Sequence, residues 1–165
     1  MLTAVPNAAS SALTKSTGEY LVSITSKEII VDKMNYTDIP LGEIVGSKST
    51  GNGGFDYFSE NKDEHYIIFG EAKYKTNKSA YSSALNQIID FINENKDMSD
   101  YITIRDFIDK ESGDNLVSGV KGYSAGFTFI GKNESLLENI FNDDKYKSLL
   151  NYEEIILIGV TINEK

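Results

Sequence analysis

Glu71-Ala72-Lys73 closes an apolar stretch, Tyr66-Ile67-Ile68-Phe69-Gly70, and Gly54-Phe55-Asp56 precedes it, with Asp56 fifteen positions ahead of Glu71. In a β-strand, side chains i and i+2 share a face, so Glu71 and Lys73 project together and Ala72 points away. If the preceding segment returns as an antiparallel strand about a turn centred between Asp63 and Glu64, Asp56 falls directly opposite Glu71. Two carboxylates and one ammonium at the end of a sheet are what divalent-metal phosphodiester hydrolysis needs. The carboxylates supply oxygen ligands for Mg²⁺, and the ammonium stands beside the attacking water or the charge developing on phosphate. Glu-x-Lys recurs at Glu60-Asn61-Lys62 and Glu94-Asn95-Lys96. Their surroundings read as a turn and a helix end, where a solvated ion pair is the plainer reading. Only the copy at Glu71 follows an apolar strand and precedes an amphipathic helix.

Through Gly54-Phe55-Asp56, Phe69-Gly70-Glu71-Ala72-Lys73 and Gln87 in the next helix, the chain resembles the PD-(D/E)XK nuclease superfamily over residues 41–106. Phe55 stands where the proline that names the motif would stand, a common variation. The resemblance implies an α/β fold of the restriction-endonuclease-like kind, a mixed β-sheet flanked by α-helices. It implies Mg²⁺-dependent cleavage of DNA, with Mn²⁺ able to substitute. Asp56, Glu71 and the carbonyl of Ala72 would hold the metal, Lys73 would position water or stabilise phosphate charge, and Gln87 would help orient them. Many members add a glutamate from the first helix. Glu43, thirteen positions before Asp56 on the helical-looking stretch 41–45, takes that place ahead of Glu19, whose neighbours alternate like a strand. The run Leu41-Gly42-Glu43-Ile44-Val45-Gly46 also resembles nucleases of bacterial defence systems, which implies an effector subunit of a defence or restriction system.

The elements that must position these residues follow from periodicity and turn chemistry. The reading is one domain over residues 1–165, with 1–17 as a poorly ordered arm. Residues 19–25 and 28–32 alternate like strands joined at Ser26-Lys27. Thr37-Asp38-Ile39-Pro40 reads as a turn into the helix 41–45, and Gly46, Gly51, Gly53 and Gly54 make a loop. Residues 55–59 and 66–73 form the central hairpin. Ser79 or Ser82 caps the next helix, whose inner face carries Tyr81, Ala84, Leu85, Ile88 and Ile92. A helix over 99–110 turns Tyr101, Ile104 and Ile108 inward and is ended by Ser112-Gly113-Asp114. Tyr123, Ala125, Phe127 and Phe129 share one face of a strand, and Asn133 caps a helix bearing Leu136, Leu137, Ile140 and Phe141. Residues 154–162 form a last strand, apolar on both faces as a central strand would be.

Composition narrows the chemistry. The chain has no Cys, which excludes zinc–thiolate sites, disulfides and cysteine nucleophiles, and its single histidine, His65, argues against a histidine metal cluster or a Ser–His triad. The net charge is -9, from 25 acidic and 16 basic residues. A protein that loads onto nucleic acid alone is normally basic. The lysines nearest the motif, Lys48, Lys75 and Lys78, are assigned to the nucleic acid. The acidic remainder implies that a protein partner or a homo-oligomer aids DNA loading. Tyr57 and Tyr74 are candidates for base stacking. No uninterrupted apolar run approaches the ~18 residues of a membrane span, and the N-terminus lacks the early charge of a signal peptide. A cytoplasmic location without membrane contact is the expectation. RNA as substrate, and a non-catalytic interaction module of the same fold, are the alternatives.

Overall fold

The structure, a computed structural model, describes residues 15–40, 53–130 and 133–161. Its elements are α1 (Lys15–Met34), β1 (Thr37–Ile39), β2 (Tyr57–Asn61), β3 (Tyr66–Lys73), α2 (Tyr81–Asn93), α3 (Lys96–Ile104), a 3-10 turn (Arg105–Phe107), α4 (Lys110–Val117), β4 (Gly122–Phe129), α5 (Asn133–Asn142), α6 (Asp144–Leu149) and β5 (Ile155–Thr161). The strands form one five-stranded sheet in the order β1-β2-β3-β4-β5. β2 pairs antiparallel with β1 and β3, whereas β4 pairs parallel with β3 and β5. Parallel neighbours need a crossover. α2 to α4 fill the crossover from β3 to β4, and α5 and α6 fill the one from β4 to β5.

Both faces of the sheet are therefore covered. Phe58, Ile67, Phe69, Tyr123, Ala125, Phe127 and Phe129 pack beneath α2 with Ala84, Leu85 and Ile88. Tyr57, Ile68, Ala72, Ile156, Ile158 and Val160 pack beneath α1 with Val22 and Ile30. A strand buried on both sides reads as a continuous apolar run, which is why β3 stands out in the sequence. The β4 face expected from Tyr123, Ala125, Phe127 and Phe129 is the observed one.

Residues 19–32 are not two strands but the body of α1, which also takes Lys15 to Thr17 from the expected arm. Val, Ile and Thr abound there, and β-branched residues favour strands. The buried stripe, Gly18, Val22, Ser26 and Ile30, repeats every four residues, but two of its members are small or polar. Gly18 is small because the Tyr74 ring lies against it: a Cβ there would come within 2.3 Å of that ring.

Thr37 to Ile39 is a strand rather than a turn, and the helix expected over 41–45 lies outside the described residues. The helix expected over 99–110 is broken: α3 ends at Ile104, the backbone is extended at Ile108 and Asp109, and α4 begins at Lys110. Ser112-Gly113-Asp114 thus lies inside a helix rather than ending one. Ser112 and Gly113 are buried, and small side chains let α4 approach closely. β5 is the terminal strand of the described sheet, not a central one. Its apolar character comes from helices packed over both faces, which an edge position does not prevent.

Candidate active site

The hairpin β2–β3 sets the spacing of the acids. Asn61 Oδ1 accepts the N–H groups of Asp63 and Glu64, each at 3.1 Å, and His65 takes a left-handed conformation at φ 56°. The pairs run from Asn61↔Tyr66 to Tyr57↔Gly70. The turn is therefore centred between Asp63 and Glu64, the register that brings Asp56 beside Glu71. The regular ladder stops one residue short of that pair. Asp56 sits at a bend, and its N–H donates to Gly70 O at 2.7 Å. Its carboxylate then replaces the next ladder acceptor, with Ala72 N–H donating to Asp56 Oδ2 at 2.9 Å. In an antiparallel pair a residue's N–H and C=O face the same neighbour. The Ala72 carbonyl accordingly faces the Asp56 side as well.

The segment ahead of Asp56 is fixed by its neighbours. Phe55 is fully buried, with ring centroids 5.2 Å from Phe69, 5.1 Å from Phe91 and 5.7 Å from Tyr123. Its N–H donates to Asp100 Oδ2 at 2.9 Å. Behind the strand, the Tyr57 ring lies against Gly70, where a Cβ would come within 2.1 Å of it. Tyr57 is itself buried and shares a hydrogen bond of 2.7 Å with Ser124, so it does not stack bases.

Glu71 and Lys73 project together at the end of β3, as their parity requires. Lys73 Nζ donates to Glu71 Oε1 at 2.5 Å. It also lies 3.8 Å from Glu19 Oε1 on α1. Glu19 is the competitor that the sequence reading set behind Glu43, and it lies beside Lys73. The available signal was the four-residue repeat of Gly18, Val22, Ser26 and Ile30, which makes the segment a helix and turns its first two turns toward the end of β3. Glu43 and Lys48 lie outside the described residues. Gln87 is half-buried on α2, and no hydrogen bond among the described residues ties it to Glu71 or Lys73. Lys75 and Lys78 follow on the connection to α2, which begins without a side-chain cap from Ser79 or Ser82.

Burial, reinforced by the charge on Asp56, pushes the Glu71 carboxyl up to about 8 against the opposing pull of Lys73. Burial works against the Lys73 ammonium, but Glu71 and Glu19 outweigh it and hold its pKa above the usual lysine range. These carboxyls favour the charged form of Lys73. Glu71 Oε2 and Glu19 Oε1 are buried without a hydrogen-bond partner. Glu19 Oε1 has the Lys73 and Lys15 ammonium groups each 3.8 Å away, whereas an ionised Glu71 would leave Oε2 at a cost that a cation would offset. Among the described residues, no group of three or more His, Asp or Glu side chains is disposed to hold a metal ion. The donors that a divalent cation would draw on here are Asp56, Glu71 and the Ala72 carbonyl. Mg²⁺ commonly binds through one or two carboxylates and retains several waters, so this short set matches its habits.

No protein-family model, curated protein or solved structure matches the chain. Among the described residues no helix is long and apolar enough to cross a membrane.

Proposed function

We propose that this chain is a divalent-metal-dependent nuclease of the restriction-endonuclease-like kind, hydrolysing phosphodiester bonds in DNA and serving as an effector in a defence or restriction system. The observation that carries the reading is the convergence of Asp56, Glu71 and Lys73 at the end of β3, with a buried Glu71 oxygen left unpartnered. Asp56, Glu71 and the Ala72 carbonyl would hold Mg²⁺ or Mn²⁺. When bound, the ion supplies an acidified water and neutralises phosphate charge.

The residues themselves divide the remaining work. Asp56 fixes the β3 end through Ala72 N–H, so the carboxylates keep their spacing. Lys73, favoured in its charged form, orients the attacking water and stabilises negative charge on the phosphate. Glu19 holds that ammonium from the opposite layer. Cytoplasmic placement and a DNA-loading partner or oligomer belong to the same reading, motivated by the net charge of -9. The test is cleavage of plasmid, linear and single-stranded DNA, with an RNA arm, in Mg²⁺ or Mn²⁺. Wild type should cut and Lys73→Ala should not. Absence of metal-dependent cutting on every substrate counts against the proposal.

One observation favours a second reading, a non-catalytic interaction module. Lys73 already neutralises Glu71 and Glu19, so the cluster can persist as a structural ion network. Mn²⁺ titration separates the two readings. A nuclease loses its Mn²⁺ affinity in Asp56→Ala and Glu71→Ala, whereas a module has none to lose.

A further inference from the structure

Two lysines beside the candidate site rest their ammonium groups on serine hydroxyls. Lys75 Nζ donates to Ser83 Oγ at 2.5 Å, and Lys145 Nζ donates to Ser82 Oγ at 3.0 Å. The serines are adjacent on α2, so a charge from the β3–α2 connection and one from α6 meet at a single helical turn. With 25 acidic residues to 16 basic ones, carboxylate partners are plentiful in this chain. Yet no carboxylate among the described residues pairs with Lys75 or Lys78. Among the described carboxylates Lys145 has only Asp143, at 3.8 Å. Lys15, nearby, is 3.8 Å from Glu19. Burial, and then the charges of Lys78 and Lys15, lower the proton affinity of Lys75, as expected where positive groups crowd together.

The placement is fixed relative to the site. Lys75 lies two residues beyond Lys73, and the buried Thr128 clasps its backbone. Thr128 Oγ1 accepts Lys75 N–H at 2.8 Å, and the hydroxyl donates to Lys75 O at 2.9 Å. An ammonium has three donors, and each of these spends one on a neutral hydroxyl. The other two of Lys75 are available to an anion without breaking an ion pair, and those of Lys145 are shared with Asp143 alone among the described carboxylates.

We infer that Lys75 and Lys145, gathered about Ser83 and Ser82, with Lys78 adding its charge beside Lys75, seat the backbone phosphates of a nucleic-acid strand next to the phosphate that Lys73 would engage. This rests on the phosphodiesterase reading of that site. A polyanion with regularly spaced phosphates satisfies lysines from two separate elements at once. An anionic membrane would have to approach over a broad face of a chain whose net charge is -9, whereas one strand engages a narrow cluster.

The experiment is fluorescence anisotropy of labelled single-stranded DNA, duplex DNA and RNA with the full chain in EDTA, across a KCl series, with phosphatidylserine vesicles as a separate arm. Lys75→Ala and Lys145→Ala should each weaken binding by roughly 3- to 10-fold. Each should also reduce the slope of log affinity against log salt by about 0.7–0.9, one phosphate contact apiece. Lys75→Arg should restore binding, and Lys110→Ala, whose partner is Asp114 on α4, should change nothing. Unchanged affinity and slope in the double variant would overturn the inference. So would binding to vesicles alone, or no nucleic-acid binding at ~20 mM salt with ~10⁻⁴ M chain, the weak end of non-specific affinity. Because the assay contains no metal, it separates the two ideas. Lysine-dependent binding without cleavage in Mg²⁺ sinks the nuclease reading alone, and cleavage untouched by the lysine variants sinks this inference alone.

Discussion

Replacing Glu71 with Gln should make the metal-free protein more stable at alkaline pH, although it removes a partner of Lys73. Glu71 is buried, and its carboxyl is raised from the ordinary 4.5 to about 8. Below pH 4.5 the carboxyl is protonated in both folded and unfolded chains and contributes no difference. Between 4.5 and about 8 the folded chain keeps a proton that the unfolded chain releases, so stability falls as pH rises. Above about 8 both forms are ionised and the loss is complete. At ~1.4 kcal/mol per tenfold change in proton affinity, the full loss is roughly 5 kcal/mol. Lys73 keeps its proton throughout this window, since its own pKa is raised. Glutamine resembles the neutral acid and lacks the titration. The two proteins should match near pH 4.5, and the variant should gain about 1 kcal/mol per pH unit until it leads by roughly 3–5 kcal/mol at pH 8.5. Urea unfolding followed by circular dichroism from pH 4.5 to 9, in EDTA, measures this directly. A stability difference that does not change with pH, or a wild type that gains on the variant as pH rises, would refute the reasoning.

Phe55→Ala should cost about 3–5 kcal/mol, the usual loss for a buried aromatic ring, and should also weaken Mn²⁺ binding because Asp56 follows directly; urea melts and calorimetry read the two effects. Gly70→Ala should destabilise by roughly 1–3 kcal/mol, the range for overpacking, since its Cβ would meet the Tyr57 ring; thermal unfolding reports it. Lys121→Met should lower stability by about 3–5 kcal/mol, because it strands the buried Asp97 carboxylate that pairs with Lys121; recovery in the Asp97→Asn, Lys121→Met double variant would confirm the cause. Glu19→Gln should weaken Mn²⁺ binding while leaving the fold intact; equal affinities by calorimetry would remove Glu19 from the site.

The hairpin was readable because two local rules agreed. A polar turn around Asp63 and Glu64 fixed its centre, and strand parity fixed the faces of Glu71 and Lys73. The α/β class was readable from the same apolar runs. α1 was not, because its inner stripe uses Gly18 and Ser26 where Tyr74 and the sheet press close, and its β-branched residues mimic a strand. That misreading carried Glu19 away with it. The break between α3 and α4 was also hidden. Glu60, fully buried on β2, accepts Asp109 N–H at 2.9 Å, a contact between residues forty-nine apart that no local pattern announces. Gln87 and Lys75 lie on the elements expected of them, but a side chain's reach is set by tertiary packing rather than by its position in a motif.

The candidate site is assembled across three bodies. Asp56 is tethered to α3 and the aromatic layer through Asp100 and Phe55, Glu71 and Lys73 ride on the sheet, and Glu19 belongs to α1 on the far side. Asp56, bonded to Gly70 and Ala72, stays with Glu71, so sliding of α1 over the sheet alters the gap between Glu19 and Lys73 before it disturbs any single element. A molecule that pushed on α1 would move Glu19 and leave the Asp56–Glu71 pair in place, which would give the protein a mechanical handle on the charge around Lys73 from a distance.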